Sequence, residues 1–171
     1  SYDKFHDNSE RIYRLRYERT DAKGDAVRFA SCCPPAAASI RGKYPEVENI
    51  GRMLKYSGIV SHEHLKFLEE RMFYVEPQIF EILQFNFIVG DPVKKIAEPN
   101  NAFISQSAAK KFFGDQDPVG KIISVDKRTD YHIAGIFEDI PENSHVKFDL
   151  LMPWKNLEIL FGPEYYKAWG H

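Results

Sequence analysis

The stretch NAFISQSAAKKFFGDQDPVGKIISVDKRTDYHIAGIFED, residues 101–139, decides the fold, because each joint in it carries the residue its geometry asks for. Ala102–Ile104 reads as a short strand. Ser105 follows as an N-cap, since its hydroxyl can accept from an unpaired N–H of the first helical turn. Ile104, Ala108 and Phe112 fall on one helical stripe and Ala109 and Phe113 on the next, which gives one apolar face. Lys110 and Lys111 suit the negative end of the helix dipole, and Gly114 is a natural stop. Asp117-Pro118-Val119-Gly120 fits a type I turn, with Asp first, Pro second and Gly fourth. Two strands are expected next, Lys121–Val125 and Asp130–Phe137, joined by the polar Asp126-Lys127-Arg128-Thr129.

Working outward, Arg11–Arg19 is expected to be a strand with Tyr13, Leu15 and Tyr17 on one face, followed by a polar turn over Thr20–Asp25. Pro34-Pro35 starts a short helix over Ala36–Lys43, which must end near Tyr44 because the residue before Pro45 is pushed to extended geometry. Val47–Tyr56 is a second strand candidate, so residues 11–56 read as strand–helix–strand. Ser61–Val75 is expected to be a hairpin, with Leu65 and Phe67 on one arm, Met72 and Tyr74 on the other, and Glu69-Glu70 near the bend. Glu76-Pro77 opens a helix with Ile79, Phe80 and Leu83 on its face, Phe85–Val89 is a strand, and Gly90-Asp91-Pro92 turns into a short helix ending near Ala97. Val146–Met152 is the last strand, and a helix runs from Pro153 to about Leu160. Gly162-Pro163 breaks that helix, and a final turn spans Tyr165–Trp169.

The chain has 171 residues, which suits one domain or two small lobes sharing a core. Hydrophobic residues make up 43% and aromatics 14%, enough for a sizeable core. With 23 basic and 25 acidic residues interspersed, there is no basic stripe, so nucleic acid is not an expected partner. No apolar run approaches the roughly 20 residues of a membrane helix. The sequence starts at Ser1 without an initiator Met or a signal peptide, so it is expected to be a piece of something longer. Cys32 and Cys33 are adjacent, and a disulfide between neighbours is strained. Each is therefore expected to be a free thiol or a small apolar filler.

Several short motifs could carry chemistry, and each fails on spacing or context. Gly114 to Lys121 resembles a phosphate-cradling loop, but has five residues between its glycines, Ile122 after the lysine, and a helix before it instead of a strand. Ser107-Ala108-Ala109-Lys110 has the Ser-x-x-Lys spacing of penicillin-binding enzymes, without the accompanying Ser-Asp-Asn or Lys-Thr-Gly elements. His62 and His64 flank Glu63 on an extended segment and could share a metal only with a third ligand. His132 and His145 stand alone. Asp115/Asp117 and Glu138/Asp139 read as solvated turn faces. The expectation is therefore no catalytic residue, no cofactor and no metal. Phe103, Phe112, Phe113, Tyr131, Phe137 and Phe148 are expected in the core, whereas Tyr56, Phe73, Tyr165, Tyr166 and Trp169 are not absorbed by an obvious buried face and could form a partner surface.

The run Ile104-Ser105, Ala109–Asp115, Asp117–Lys121 and Gly135–His145 resembles the periplasmic core domain of MacB/FtsX-type ABC-transporter permeases, in the form found in Bacteroides-like bacteria. Ser1–His6 with Ile12-Tyr13-Arg14 resembles the segment just after that family's first membrane helix, and Tyr44–Asn49 adds a third match. The resemblance implies an α+β fold of two lobes. Residues 1–60 would begin a porter-like βαβ lobe, 61–140 would form an inserted mixed α/β lobe, and 141–171 would return to the first lobe, cut short. It further implies a non-catalytic extracytoplasmic domain on the periplasmic side of the bacterial inner membrane. That domain would relay ATP-driven motion to move or export a periplasmic substrate. The partners implied are a separate cytoplasmic ATPase subunit, a second permease copy through the membrane region, a periplasmic adaptor and an outer-membrane duct. The isolated domain is expected to be monomeric. A stand-alone periplasmic module recognising a peptide or protein is the alternative, and an acyl hydrolase using Ser107 or a zinc site at His62 and His64 ranks third.

Overall fold

The computed structural model of the chain describes residues 11–15, 17–20, 24, 26–29, 32, 35–141, 144, 146–162 and 164. Strands β1 (Tyr17–Thr20) and β2 (Ala26–Phe29) form an antiparallel hairpin with Tyr17 opposite Phe29. Helix α1 (Ala36–Ile40) is followed by β3 (Met53–His62) and β4 (Leu65–Val75), a long antiparallel hairpin. Then come α2 (Gln78–Leu83), β5 (Phe87–Val89), α3 (Pro92–Ile96), β6 (Asn101–Ser105) and α4 (Gln106–Phe113). The order is completed by β7 (Ile122–Val125), β8 (Thr129–Phe137), β9 (Leu150–Pro153) and α5 (Trp154–Phe161).

Seven of these strands form one sheet in the order β5-β8-β6-β9-β4-β3-β7, and β7 pairs with β8 as well. The pairings therefore close a ring of six strands, β3-β4-β9-β6-β8-β7, with β5 attached outside it along β8. Closure leaves these strands few open edges, which limits pairing with other chains. Two apolar clusters lie on the two faces. One takes Val60, Met72, Tyr74, Ala102, Ile104, Ile123, Val125, Tyr131, Ile133, Leu150 and Met152, and thus draws on all six strands of the ring. It is the inner face, and Ala108, Ala109, Phe112 and Phe113 of α4 and Trp154 and Leu157 of α5 pack against it. The other cluster joins Phe73, Val75, Phe103, Phe137 and Leu151 to Ile79 and Phe80 of α2 and Ile96 of α3. Alternate residues of β4, β6 and β9 feed opposite clusters, so these strands are buried on both faces and read as unbroken apolar runs such as Met72–Val75.

The decisive stretch folds largely as its residues foretell. The Ser105 hydroxyl accepts from the Ala108 N–H at 3.2 Å, and α4 ends at Gly114 with φ 61°. The expected type I turn is displaced by one residue. The Lys121 N–H donates to the Pro118 carbonyl at 3.1 Å, with Gly120 third in the turn at φ 82°, as a type II turn requires. Asp117 acts through its side chain instead, accepting from the Val119 N–H at 3.0 Å.

Other expectations need correction. The strand read over Arg11–Arg19 is confined to Tyr17–Thr20, where β2 supplies a partner. Tyr13 and Leu15 are exposed. Residues 47–52 are not strand, and β3 begins at Met53 and runs to His62. Among the described residues β1 pairs with β2 and not with β3, so residues 11–56 do not build a shared βαβ sheet. The hairpin expected over Ser61–Val75 bends at Glu63-His64 rather than at Glu69-Glu70, and both of its expected arms lie on β4. Glu63 takes φ 51°, which supplies the reversal, while Glu69 is buried and forms an ion pair with Lys111. Val146–Lys147 is not strand, β9 starting at Leu150. Residues 60 and 61, the expected lobe boundary, are neighbours within β3, and β9 lies between β4 and β6. The six aromatics read as core are all buried. Phe73 joins them, 7% exposed and 4.7 Å from the Phe148 ring, because β4 is covered on both faces. Ser1–Glu10, Cys33, Pro34, His145, Pro163, Tyr165, Tyr166 and Trp169 lie outside the described residues.

Candidate functional site

Two polar assemblies stand out from the apolar frame, and each joins segments distant in sequence. The first is built on Glu76, which directly follows β4. Its carboxylate is buried and accepts from Arg52 twice, from the guanidinium at 2.7 Å and from the backbone N–H at 2.9 Å. Arg41 adds a third bond at 3.0 Å and reaches the Ile50 carbonyl at 3.0 Å. Burial disfavours the charge on Glu76, but the hydrogen bonds and charge of Arg52, and then the charge of Arg41, outweigh it. They hold the carboxyl below its usual pKa. The Arg52 guanidinium also lies 4.4 Å from the centre of the Trp154 ring, tying the same joint to α5.

The second assembly closes the barrel. Asp126, at φ 52° in the β7–β8 turn, accepts from the Tyr56 hydroxyl at 2.5 Å and from the Ile59 N–H at 2.7 Å. Its own N–H donates to the Ile59 carbonyl at 2.8 Å. These bonds fall where β3 is irregular, between Tyr56 and Gly58, and they latch the turn of one hairpin onto the strand of another. Deeper inside, the Tyr131 hydroxyl donates to that of Tyr74 at 3.3 Å. The Tyr56 pKa is pushed up to about 12, first by its bond to Asp126, then by burial and by that carboxylate's charge. Burial also pushes Tyr74 and Tyr131 up. With the Tyr56 hydroxyl on one oxygen and the Ile59 N–H on the other, the Asp126 carboxylate acts as a clamp between β3 and the β7–β8 turn.

The residues singled out in the sequence are scattered. Ser107 and Lys110 are exposed on α4, and the Ser107 N–H donates to the Asp139 carboxylate at 3.0 Å. His62 Nδ1 lies 2.8 Å from the Ile122 carbonyl and its ring packs edge-on to Phe113 at 4.6 Å, whereas His64 is exposed beyond the bend. Among the described residues no three His, Cys, Asp or Glu side chains gather as a metal site. Lys121 bonds the Gln116 side chain at 2.6 Å. Asp115, Asp117, Glu138, Asp139 and His132 are exposed, and Cys32 is half-buried. Replacing Ser107 by alanine is expected to shift stability by less than about 0.5 kcal/mol in a urea titration, since the bond it makes here is from its backbone. Sequence reading missed Glu76, Asp126 and Asp149. Asp149 accepts from Arg71 at 2.6 Å and from the Ser105 hydroxyl at 3.2 Å, fixing the start of α4 to β9. Their partners lie 24 to 78 positions away, measured from Glu76–Arg52 at one extreme to Arg71–Asp149 at the other (149 − 71), so no local pattern announces them.

The sequence profile of the MacB-like periplasmic core domain matches residues 1–169. Among solved structures, a permease-protein domain from Porphyromonas gingivalis has the same fold at TM-score 0.77 and 22% identity, over 91% of this chain and 66% of that one. The periplasmic region of MacB from Actinobacillus actinomycetemcomitans superposes at TM-score 0.64 and 16% identity, over 77% of this chain and 59% of that one. The extracellular domain of the noncanonic ABC-type transporter YknZ from Gram-positive bacteria superposes at 0.55 and 15% identity, over 68% and 59%. The chain thus spans just under two thirds of the length of the first of these domains, and less of the others. No curated protein matches it. Among the described residues no helix is long and apolar enough to cross a membrane.

Proposed function

Because the chain belongs to the MacB-like periplasmic core domain family, we propose that it is the non-catalytic extracytoplasmic part of an ABC-transporter permease subunit, relaying ATP-driven motion to a periplasmic substrate. The observation that carries this reading is the family match over residues 1–169. The geometry supports it in a further way. The polar assemblies at Glu76 and Asp126 tie elements together, as suits a part that transmits displacement. Rigid transmission needs a frame that does not deform, and a closed ring of six strands provides one. Within the proposal, the ATPase is a separate cytoplasmic subunit, the permease pairs with a second copy through its membrane region, and an adaptor with an outer-membrane duct lies downstream. The two-lobe division, residues 1–60 with 141–171 against 61–140, is proposed for the whole extracytoplasmic domain, with β3 and β9 shared between the lobes. The separate β1–β2 hairpin is what supports it.

The test is made in the full subunit. Replacing residues 1–171 by a flexible linker is expected to abolish substrate movement while leaving assembly with the ATPase and its basal hydrolysis intact. Undiminished transport by the deleted subunit, or a parent protein without membrane spans, would end the proposal and favour a recognition module.

A further inference from the structure

Residues 41–50 run between α1 and β3 without regular secondary structure, and Arg41 through Asn49 are all exposed. A segment that buries no apolar side chain has little to hold it except its polar ties. Among the described residues these ties are few and lie towards its two ends. Arg41 reaches Glu76, and Arg52, just past the segment, bonds the same carboxylate through both guanidinium and backbone. Asn49 donates to Glu81 of α2 at 2.6 Å, and Glu48 forms an ion pair with Arg11. Gly51 sits so close over α2 that a β-carbon there would meet Ile79 Cδ1 at 3.0 Å.

Exposure ranks these ties. The Arg11 and Glu48 side chains are 65% and 71% exposed, so their pairing is screened by water and weak. Asn49 and Glu81 are exposed as well. Glu76 differs, with a side chain only 10% exposed and its carboxylate bound to both arginines. A charged bond in such a setting is stronger, and removing one partner strands the other. Among the described residues the segment is therefore fastened at its ends through this one buried carboxylate, by Arg41 at 45% exposure and by Arg52 at 19%, and only weakly elsewhere.

We infer that residues 41–50 form a releasable strap whose latch is the Glu76 carboxylate gripping Arg41 and Arg52, so that the strap can leave the barrel without the barrel unfolding. The strap carries Tyr44 and Val47 outward, 56% and 38% exposed, and is tied to Arg11 through Glu48 and to α2 through Asn49. A relay requires an element with two arrangements that separate sites can bias, and the strap supplies one. That purpose rests on the relay reading above. The latch itself does not.

Trypsin tests it on the 171-residue protein, because Lys43 lies within the strap and takes no part in the latch, whereas Lys66 lies within β4. When reclosing is fast, cleavage tracks the population of the opened state. Glu76→Gln keeps the shape and removes the charge, and is expected to speed cleavage after Lys43 about 10-fold or more, with cleavage after Lys66 unchanged. Arg41→Gln, which alters only the strap's side of the latch, should give a smaller rise confined to Lys43. Equal acceleration at Lys43 and Lys66 would make Glu76 a support of the whole fold, and no acceleration in either variant would remove the latch. Both results overturn the strap and leave the transport assay of the relay reading untouched.

Discussion

Replacing Gly135 by alanine is expected to destabilise the protein by about 3 kcal/mol or more, the upper range for forcing atoms into a packed core. Gly135 lies on β8 opposite Phe103 of β6, at the point where β5 joins from the other side. A β-carbon there would stand 2.6 Å from Phe103 Cε1 and would run into the Val89 carbonyl on β5. The carbonyl is backbone and cannot swing aside. Phe103 is fully buried and held by Phe80 and Phe87 at ring distances of 6.0 and 5.3 Å. Relief must come from separating β5 from β8, which also disturbs the aromatic cluster under α2. The urea midpoint should fall without a change in slope, and amide exchange should rise first across Phe87–Val89. A variant that melts like the parent, or whose exchange rises first in the β3–β4 hairpin, would show that β5 is not seated as described.

That glycine illustrates what the sequence displays and what it conceals. The cap at Ser105, the stop at Gly114 and the helix opened by Pro77 are legible because each is settled within four or five residues. The double burial of β4 is not legible, since Phe73 has no buried face until β9 pairs beside it and α2 covers it. The bend of the β3–β4 hairpin was misread because Glu69-Glu70 looks like a solvated turn. Glu69 is in fact buried and satisfied by Lys111, 42 residues further on. Ring closure is likewise invisible locally, since β3 and β7 share only Val60–Val125 and Ser61–Ser124 as paired positions. The displaced turn at Gly120 follows the same logic. Its N–H is taken by the Ile133 carbonyl at 2.8 Å, a β8 partner that overrides the local preference. Local chemistry writes the elements, and distant pairing decides where they begin and how they close.

The closure makes the second large prediction. Asp126→Ala should cost about 2–4 kcal/mol, because the part-buried Tyr56 hydroxyl and the Ile59 N–H lose a charged acceptor and alanine tolerates a positive φ poorly. It should also change the response to alkali. Folded Tyr56 holds its proton up to about pH 12, whereas the unfolded tyrosine releases it near about pH 10. With more protons bound in the native state, stability must fall as pH rises across that window, and the contribution is complete only below it. In Asp126→Ala the chief cause of the shift is gone, so the variant should lose less stability than the parent between pH about 10 and about 12. The same carboxylate's charge adds a smaller push to Tyr74, so the difference between the two proteins reports Tyr56 first and Tyr74 second. Gly58 supplies an independent check, since a β-carbon there would sit 2.6 Å from Asp126 Oδ2. Gly58→Ala should therefore destabilise the parent more than it destabilises Asp126→Ala, with urea midpoints measuring the coupling in a double-mutant cycle. Strict additivity, or parallel alkaline profiles for the parent and Asp126→Ala, would mean that this carboxylate does not hold the ring shut.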